Sequence, residues 1–146
     1  MGVKTQKNKQ HMRYFIGIDV GTHTGVAVWD KYEKRFFEVV TTTILKAMDI
    51  VKKYEISDSI QVRLEDARKR TWFGDSGPER LQGAGSVKRD CIIWEEFLND
   101  RKIPYMLIAP KNNSTKMSAE SFKRITSYSG RTNEHTRDAA MLVFGI

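Results

Sequence analysis

Thiols, long apolar runs and acidic groups are all scarce in this chain of 146 residues. Its one cysteine, Cys91, has no partner for an intrachain disulfide, which excludes the small disulfide-stapled secreted scaffolds. Cys91 sits in a stretch that reads as an apolar helix face, so a buried, inert thiol in a reducing compartment is expected. No apolar run approaches the roughly 20 residues that cross a bilayer, and no segment has the order of a signal peptide. The expectation is a soluble, cytoplasmic protein with no membrane partner. Acids are the minority charge, with 18 Asp and Glu against 25 Lys and Arg, a net charge of +7. That excess favours a polyanionic partner, because neutralising phosphates releases counterions. There is no internal repeat. A hydrophobic fraction of 40% and 10 glycines give an ordinary globular composition, enough for one domain with a single core.

Residues 1–13 carry Lys4, Lys7, Lys9 and Arg13 and no acid. They read as a flexible basic arm outside the fold, in which His11-Met12 has the form of a cloning scar. Residues 14–146 form the domain. Phe15–Val20, Gly25–Asp30 and Arg35–Val40 are short β-rich runs separated by turn-like residues, which predicts a meander. Ile44, Met48, Val51 and Tyr54 recur at helical spacing, so Thr43–Tyr54 reads as an amphipathic helix. Ile60, Val62 and Leu64 alternate with Gln61, Arg63 and Glu65, a strand ending at Glu65. A Gly-containing basic stretch leads to a helix from about Ser86 to Asn99. A strand over Ile103–Ala109, a polar loop over Lys111–Met117 and a short helix over Ser118–Thr126 follow. The last helix spans Thr132–Phe144, capped by Thr132 or Asn133. The order predicts an α/β fold: a mixed five-stranded sheet, antiparallel meander then parallel strands, flanked by helices.

Three acidic features stand out. In Ile16-Gly17-Ile18-Asp19-Val20-Gly21 the apolar residues share one face, so Asp19 points to the other at the strand's end. A turn aspartate bonding its own backbone would look the same. Glu65 ends the next long strand in a double acid, Glu65-Asp66, which also suits a solvated strand end. In Glu134-His135-Thr136-Arg137-Asp138-Ala139-Ala140, His135 and Asp138 share a helix face near its N-terminus. Ala139 and Ala140 are small enough to let that helix lie close to a sheet. The combination says more than its parts. Asp19, Glu65, His135 and Asp138 supply carboxylate and imidazole ligands of the kind that hold two divalent ions about 4 Å apart for phosphodiester hydrolysis.

Ile16–Gly21 with Gly25-Val26-Ala27 resembles the opening strand pair of RuvC-type Holliday junction resolvases, members of the RNase H-like superfamily. Leu64-Glu65 resembles their second acidic position, and Gly83-Ala84-Gly85-Ser86-Val87 the Gly-rich start of the following helix. Pro110, Lys116 and Lys123 resemble a proline-then-lysine segment, and His135–Ala140 the closing acidic motif. The similarity runs from about Tyr14 to Phe144. It implies an RNase H-like fold and a homodimeric, structure-selective endodeoxyribonuclease acting on four-way junctions. It also implies a bacterial or phage-infected cytoplasm, with the phage type favoured by the small size. By the resemblance Asp19 contacts both of two Mg²⁺ ions and Glu65 and Asp138 one each. His135 is then a ligand or positions water. Many relatives carry aspartate where His135 stands, and the softer imidazole should let Mn²⁺ substitute.

After Glu65, Arg68-Lys69-Arg70-Thr71-Trp72-Phe73 sets three cations beside two aromatics, a pattern for phosphate contact and base stacking. Trp72 or Phe73 is the candidate for opening the junction, and Lys111, Lys116 and Lys123 are further DNA contacts. In the helix from Ser86, Val87, Cys91, Trp94 and Leu98 form the core stripe. Ile93 widens it and Ile92 falls outside, the pattern of a dimer contact or of a second intrachain one. Asp-Val-Gly-Thr with Gly-Val-Ala-Val also resembles RuvX-type RNA-processing nucleases, but their Asp-Glu-Arg-Leu-Ser-Thr signature is missing. RNase H spaces its acids differently. Actin-like ATPases share Asp-x-Gly-Thr and need a second large domain. A non-catalytic nucleic-acid-binding module of the same fold is disfavoured by four filled ligand positions.

Overall fold

The computed structural model describes residues 12–69, 78–110 and 116–146, without the side chains of 78–84. Strands β1 (Tyr14–Asp19), β2 (Thr24–Asp30) and β3 (Arg35–Thr42) form the meander. Helix α1 (Ile44–Ser57) leads to β4 (Ile60–Glu65), a 3-10 turn over Ala67–Lys69 and α2 (Pro78–Asp100). Strand β5 (Tyr105–Ile108), α3 (Ala119–Thr126) and α4 (Glu134–Met141) complete the chain. The sheet order is β3-β2-β1-β4-β5, with β1 antiparallel to β2 and parallel to β4, and β4 parallel to β5. The expected mixed five-stranded α/β architecture is therefore present.

Alternation along the strands divides the interior into two cores. Ile16, Ile18, Val62 and Leu64 pack with Val51 and Tyr54 of α1 and with Cys91, Trp94 and Leu98 of α2. Phe15, Ala27, Trp29 and Phe36 point the other way, onto Phe122 of α3 and Ala139, Ala140 and Val143 at the C-terminal end. Cys91 is fully buried, and burial pushes its thiol up to about 11, as an inert core cysteine requires.

Three boundaries differ from expectation, each for a physical reason. Helix α2 begins at Pro78, eight residues before Ser86, so Gly83 and Gly85 lie inside a helix instead of ahead of one. Proline is well tolerated in the first helical turn, and a Cβ on Gly85 would meet open space. Strand β5 is shorter than the apolar run Ile103–Ala109, because Ile103 finishes α2. Lys102 takes a left-handed φ of 58°, Lys102 N donates to Asn99 O, and Ile103 N donates to Leu98 O. That is a Schellman ending, with Pro104 following it. Helix α4 starts after the Asn133 cap and stops at Met141. Beyond it Leu142 and Val143 donate three residues back, to Ala139 and Ala140, which tightens the chain out of the α-helix.

The basic arm also ends earlier than its composition suggests. Met12 is buried among the aromatics of the α4-side core, so it belongs to the fold. Arg13 donates through Nε and Nη2 to Asp30 Oδ2 at 3.1 and 2.9 Å, and Asp30 has no exposed side-chain surface. Asp30 Oδ1 accepts from the backbone N–H groups of Tyr32 and Glu33, which shapes the β2–β3 turn. Burial pushes the Asp30 carboxyl up, but the Arg13 bond and those two N–H donors outweigh it, leaving it below the ordinary aspartate range. A carboxyl depressed on folding stabilises above its unfolded pKa and loses that contribution as pH falls through its folded value. Asp30→Asn should therefore cost about 2 kcal/mol at neutral pH. The gap from wild type should close as the pH falls below the ordinary aspartate range. Thermal melts across that range test this, and a gap independent of pH would refute it.

Candidate functional site

Strand β1 delivers Asp19 and β4 delivers Glu65 to the same end of the sheet. Ile18 pairs with Leu64 in parallel register, so the next residues, Asp19 and Glu65, lie side by side. They also share a face, because their predecessors Ile18 and Leu64 both point into the α1–α2 core. The opposite face is the one that α4 covers.

Helix α4 reaches that face through glycines. A Cβ on Gly17 would drive into the carbonyl oxygen of Ala139, and one on Gly25 into that of His135. The helix backbone therefore rests directly on β1 and β2, and Ala139 and Ala140 are fully buried beneath it. Its N-terminus is closed by a capping box: Asn133 accepts from Thr136 N, and the Thr136 hydroxyl accepts from Asn133 N. Asn133 also exchanges hydrogen bonds with Thr41 of β3, at 2.7 and 3.1 Å. Position and rotation of the first turn are thus set from two sides.

The result is a short link between the two motifs. His135 Nδ1 lies 3.0 Å from Asp19 Oδ2. Burial is the main reason that the Asp19 carboxyl sits above its ordinary value. The His135 hydrogen bond opposes the rise, the Asp138 charge adds to it, and the charge of Lys116 also opposes it. Asp138 accepts from Lys116 Nζ at 2.9 Å, and Glu134 lies 3.5 Å from the same ammonium. An N···O separation of 3.0 Å matches the edge of an octahedron whose ligands stand about 2.1 Å from a divalent ion, roughly 3 Å. The donor chemistry therefore fits such an ion. Among the described residues no three His, Cys, Asp or Glu side chains already converge as a set that could hold one. Asp19 and His135 are joined, whereas Asp138 is turned to Lys116.

The basic residues divide. Arg68, expected at a phosphate, instead points inward, bonding Asp66 at 2.8 and 3.0 Å and Glu95 at 2.7 Å. The cause is Asp66, which is buried and requires a counter-charge. Lys69 donates to the Leu107 carbonyl, a neutral acceptor that does not cancel its charge. Lys123 is exposed on α3. Arg70, Trp72, Phe73 and Lys111 lie outside the described residues. Ile92 and Ile93 are adjacent and exposed on α2, at 48% and 39%.

Sequence reasoning passed over three features. His23, exposed in the β1–β2 turn, has its ring 6.3 Å from that of His135. Glu134 joins Asp138 around Lys116. Gly17 and Gly25 are the seats of α4, and their one signal in the sequence is a pair of strand glycines facing a helix with two adjacent alanines.

Comparison with known proteins bears on the fold. No family model and no curated protein sequence matches the chain. Among solved structures, T. thermophilus RuvC in complex with a Holliday junction substrate matches with a TM-score of 0.57 and 17% identity, over 90% of each chain. The chain has a RuvC-like, RNase H-like α/β fold.

Because α4 touches the sheet backbone to backbone, Gly17→Ala should lift it. Overpacking of this kind costs about 1–3 kcal/mol. The His135–Asp19 contact should open while the α1–α2 core stays intact. Melting temperature, with the His135 ring resonances as the local probe, checks this. An unshifted His135 in a folded Gly17→Ala protein would contradict it.

Proposed function

We propose that this protein is a structure-selective endodeoxyribonuclease that resolves four-way DNA junctions with divalent cations, Mg²⁺ or Mn²⁺, two per site. The observation that carries the reading is the meeting of Asp19 and His135 at 3.0 Å beside Glu65 and Asp138, on a fold shared with a RuvC bound to a Holliday junction. The basic net charge of +7 and the cations Lys69 and Lys123 support a DNA partner.

Asp19, Glu65, His135 and Asp138 would hold the cations. Bound there, the ions supply charge neutralisation at the leaving oxygen and a water activated for attack. The chain's own contribution is placement. Asp19 and Glu65 are carried on paired strands, so their backbone positions cannot separate without breaking the sheet. His135 is fixed by the capped first turn of α4 and offers Nδ1 towards Asp19, which leaves Nε2 on the outer edge of its ring. Lys69 and Lys123 reach phosphates flanking the cut, fixing register without reading bases.

A labelled four-way junction, a duplex, a flap and an RNA–DNA hybrid incubated with Mg²⁺ test the activity, with symmetric nicks in the junction expected. Asp19→Asn should lower cleavage by orders of magnitude and keep junction binding, since the basic surface is unchanged. His135→Asp should keep substantial Mg²⁺-dependent cleavage, whereas His135→Ala should lose most of it. Full cleavage by Asp19→Asn would falsify the assignment.

We also propose a homodimer through α2, because Ile92 and Ile93 expose adjacent apolar surface and paired cuts need two sites. Ile92→Glu would bury a charge in that contact. It should give a folded monomer in sedimentation that nicks without paired cutting, and a wild-type monomer with and without DNA would remove the interface.

A further inference from the structure

Lys116 lies just before α3, yet its ammonium reaches back to the acidic start of α4. Nζ is 2.9 Å from Asp138 Oδ2 and 3.5 Å from Glu134 Oε1. Its charge also acts on Asp19, where it opposes the effect of Asp138. One cation therefore bridges two carboxylates, Glu134 and Asp138, at the end of the sheet where Asp19 and Glu65 also lie. The lysine side chain is 57% exposed, and that of Asp138 26%. The contact is therefore open to solvent on the lysine's side.

We propose that Lys116 is a built-in stand-in for a divalent cation, holding Asp138 until it is displaced by the metal. The inference rests on Asp19, Glu65, His135 and Asp138 being the cation ligands. A carboxylate oxygen that accepts an ammonium hydrogen bond at 2.9 Å cannot also face a metal ion without setting two cations close together. Lys116 and the metal ion therefore compete for Asp138, whose carboxylate turns towards Asp19 as Lys116 gives way. Once released from Asp138, the ammonium stands at the rim of the site beside Glu134, where a phosphate of bound DNA would compete for it. Metal binding frees Lys116 for the phosphate, and the phosphate draws Lys116 off Asp138. The two ligands thereby favour each other, and such coupling is reciprocal.

The test is a Mn²⁺ titration of the metal-free protein without DNA, following free Mn²⁺ by electron paramagnetic resonance. Wild type, Lys116→Gln and Lys116→Arg are compared. Removing the competing charge should tighten Mn²⁺ binding about three- to tenfold in Lys116→Gln, the modest size expected for a solvent-exposed pair. Lys116→Arg keeps the charge and should stay within about twofold of wild type. Unchanged or weaker binding by Lys116→Gln overturns the stand-in role alone, and so does Lys116→Arg binding as tightly as Lys116→Gln. A wild-type protein with no saturable Mn²⁺ binding overturns the cation site itself, and this inference with it.

Discussion

The backbone of α4 lies against the backbone of β1 and β2, and the candidate site depends on that approach. It is possible only where Gly17 and Gly25 offer no Cβ, opposite the carbonyls of Ala139 and His135. Side chains at those two positions would separate helix and sheet, and a separation of about 1 Å would break the 3.0 Å contact between His135 and Asp19. The close seat also explains why the helix is short and strongly capped. Eight residues do not hold a helix by propensity, so Asn133, Thr136 and Thr41 supply the bonds that an isolated first turn would lack.

Much of this was legible in the sequence because it depends on period. Alternation turned Asp19 away from the apolar face of β1 and set Glu65 at the end of β4, and three-residue spacing put His135 and Asp138 on one side of a helix. The meander and the strand ending at Glu65 follow from the same rule. What alternation does not carry is non-local. Met12 and Arg13 look like the end of a basic arm until Asp30, seventeen residues on, is seen to need a counter-charge. Arg68 looks like a phosphate contact until Asp66 and Glu95 claim it. The close of α4 beyond Met141 reflects three-residue hydrogen bonds that the run Leu142-Val143-Phe144 does not announce.

The electrostatics of the site are those of crowded carboxylates with few cations. Asp19 is raised by burial first and by Asp138 second, so the folded chain pushes it away from the ionised form that a metal ligand needs. His135 and Lys116 are the groups that oppose that rise. Both are polar side chains at the mouth, about half exposed, and both reach the acids through a single hydrogen bond to an oxygen. Exposed partners of this kind leave the acids together and within reach of solvent.

Glu65 and Asp66 show how one strand end sorts two identical charges into two roles. The pleat sends successive side chains to opposite faces, so one acid of the pair faces α4 and the other α2. Asp66 therefore lands beside Arg68, Glu95 and Cys91, buried, where burial raises its carboxyl and the Arg68 bonds more than reverse that. Tyr105 closes the group by donating to Glu95. This ion-pair cluster ties the segment after β4 to α2 and β5, and that anchors the strand end carrying Glu65. A neutral residue at 66 would leave Arg68 tied to Glu95 alone, and the turn Ala67–Lys69 would lose the carboxylate that accepts the Arg68 N–H. The acid that does not face the site is thus the one that keeps its neighbour in place.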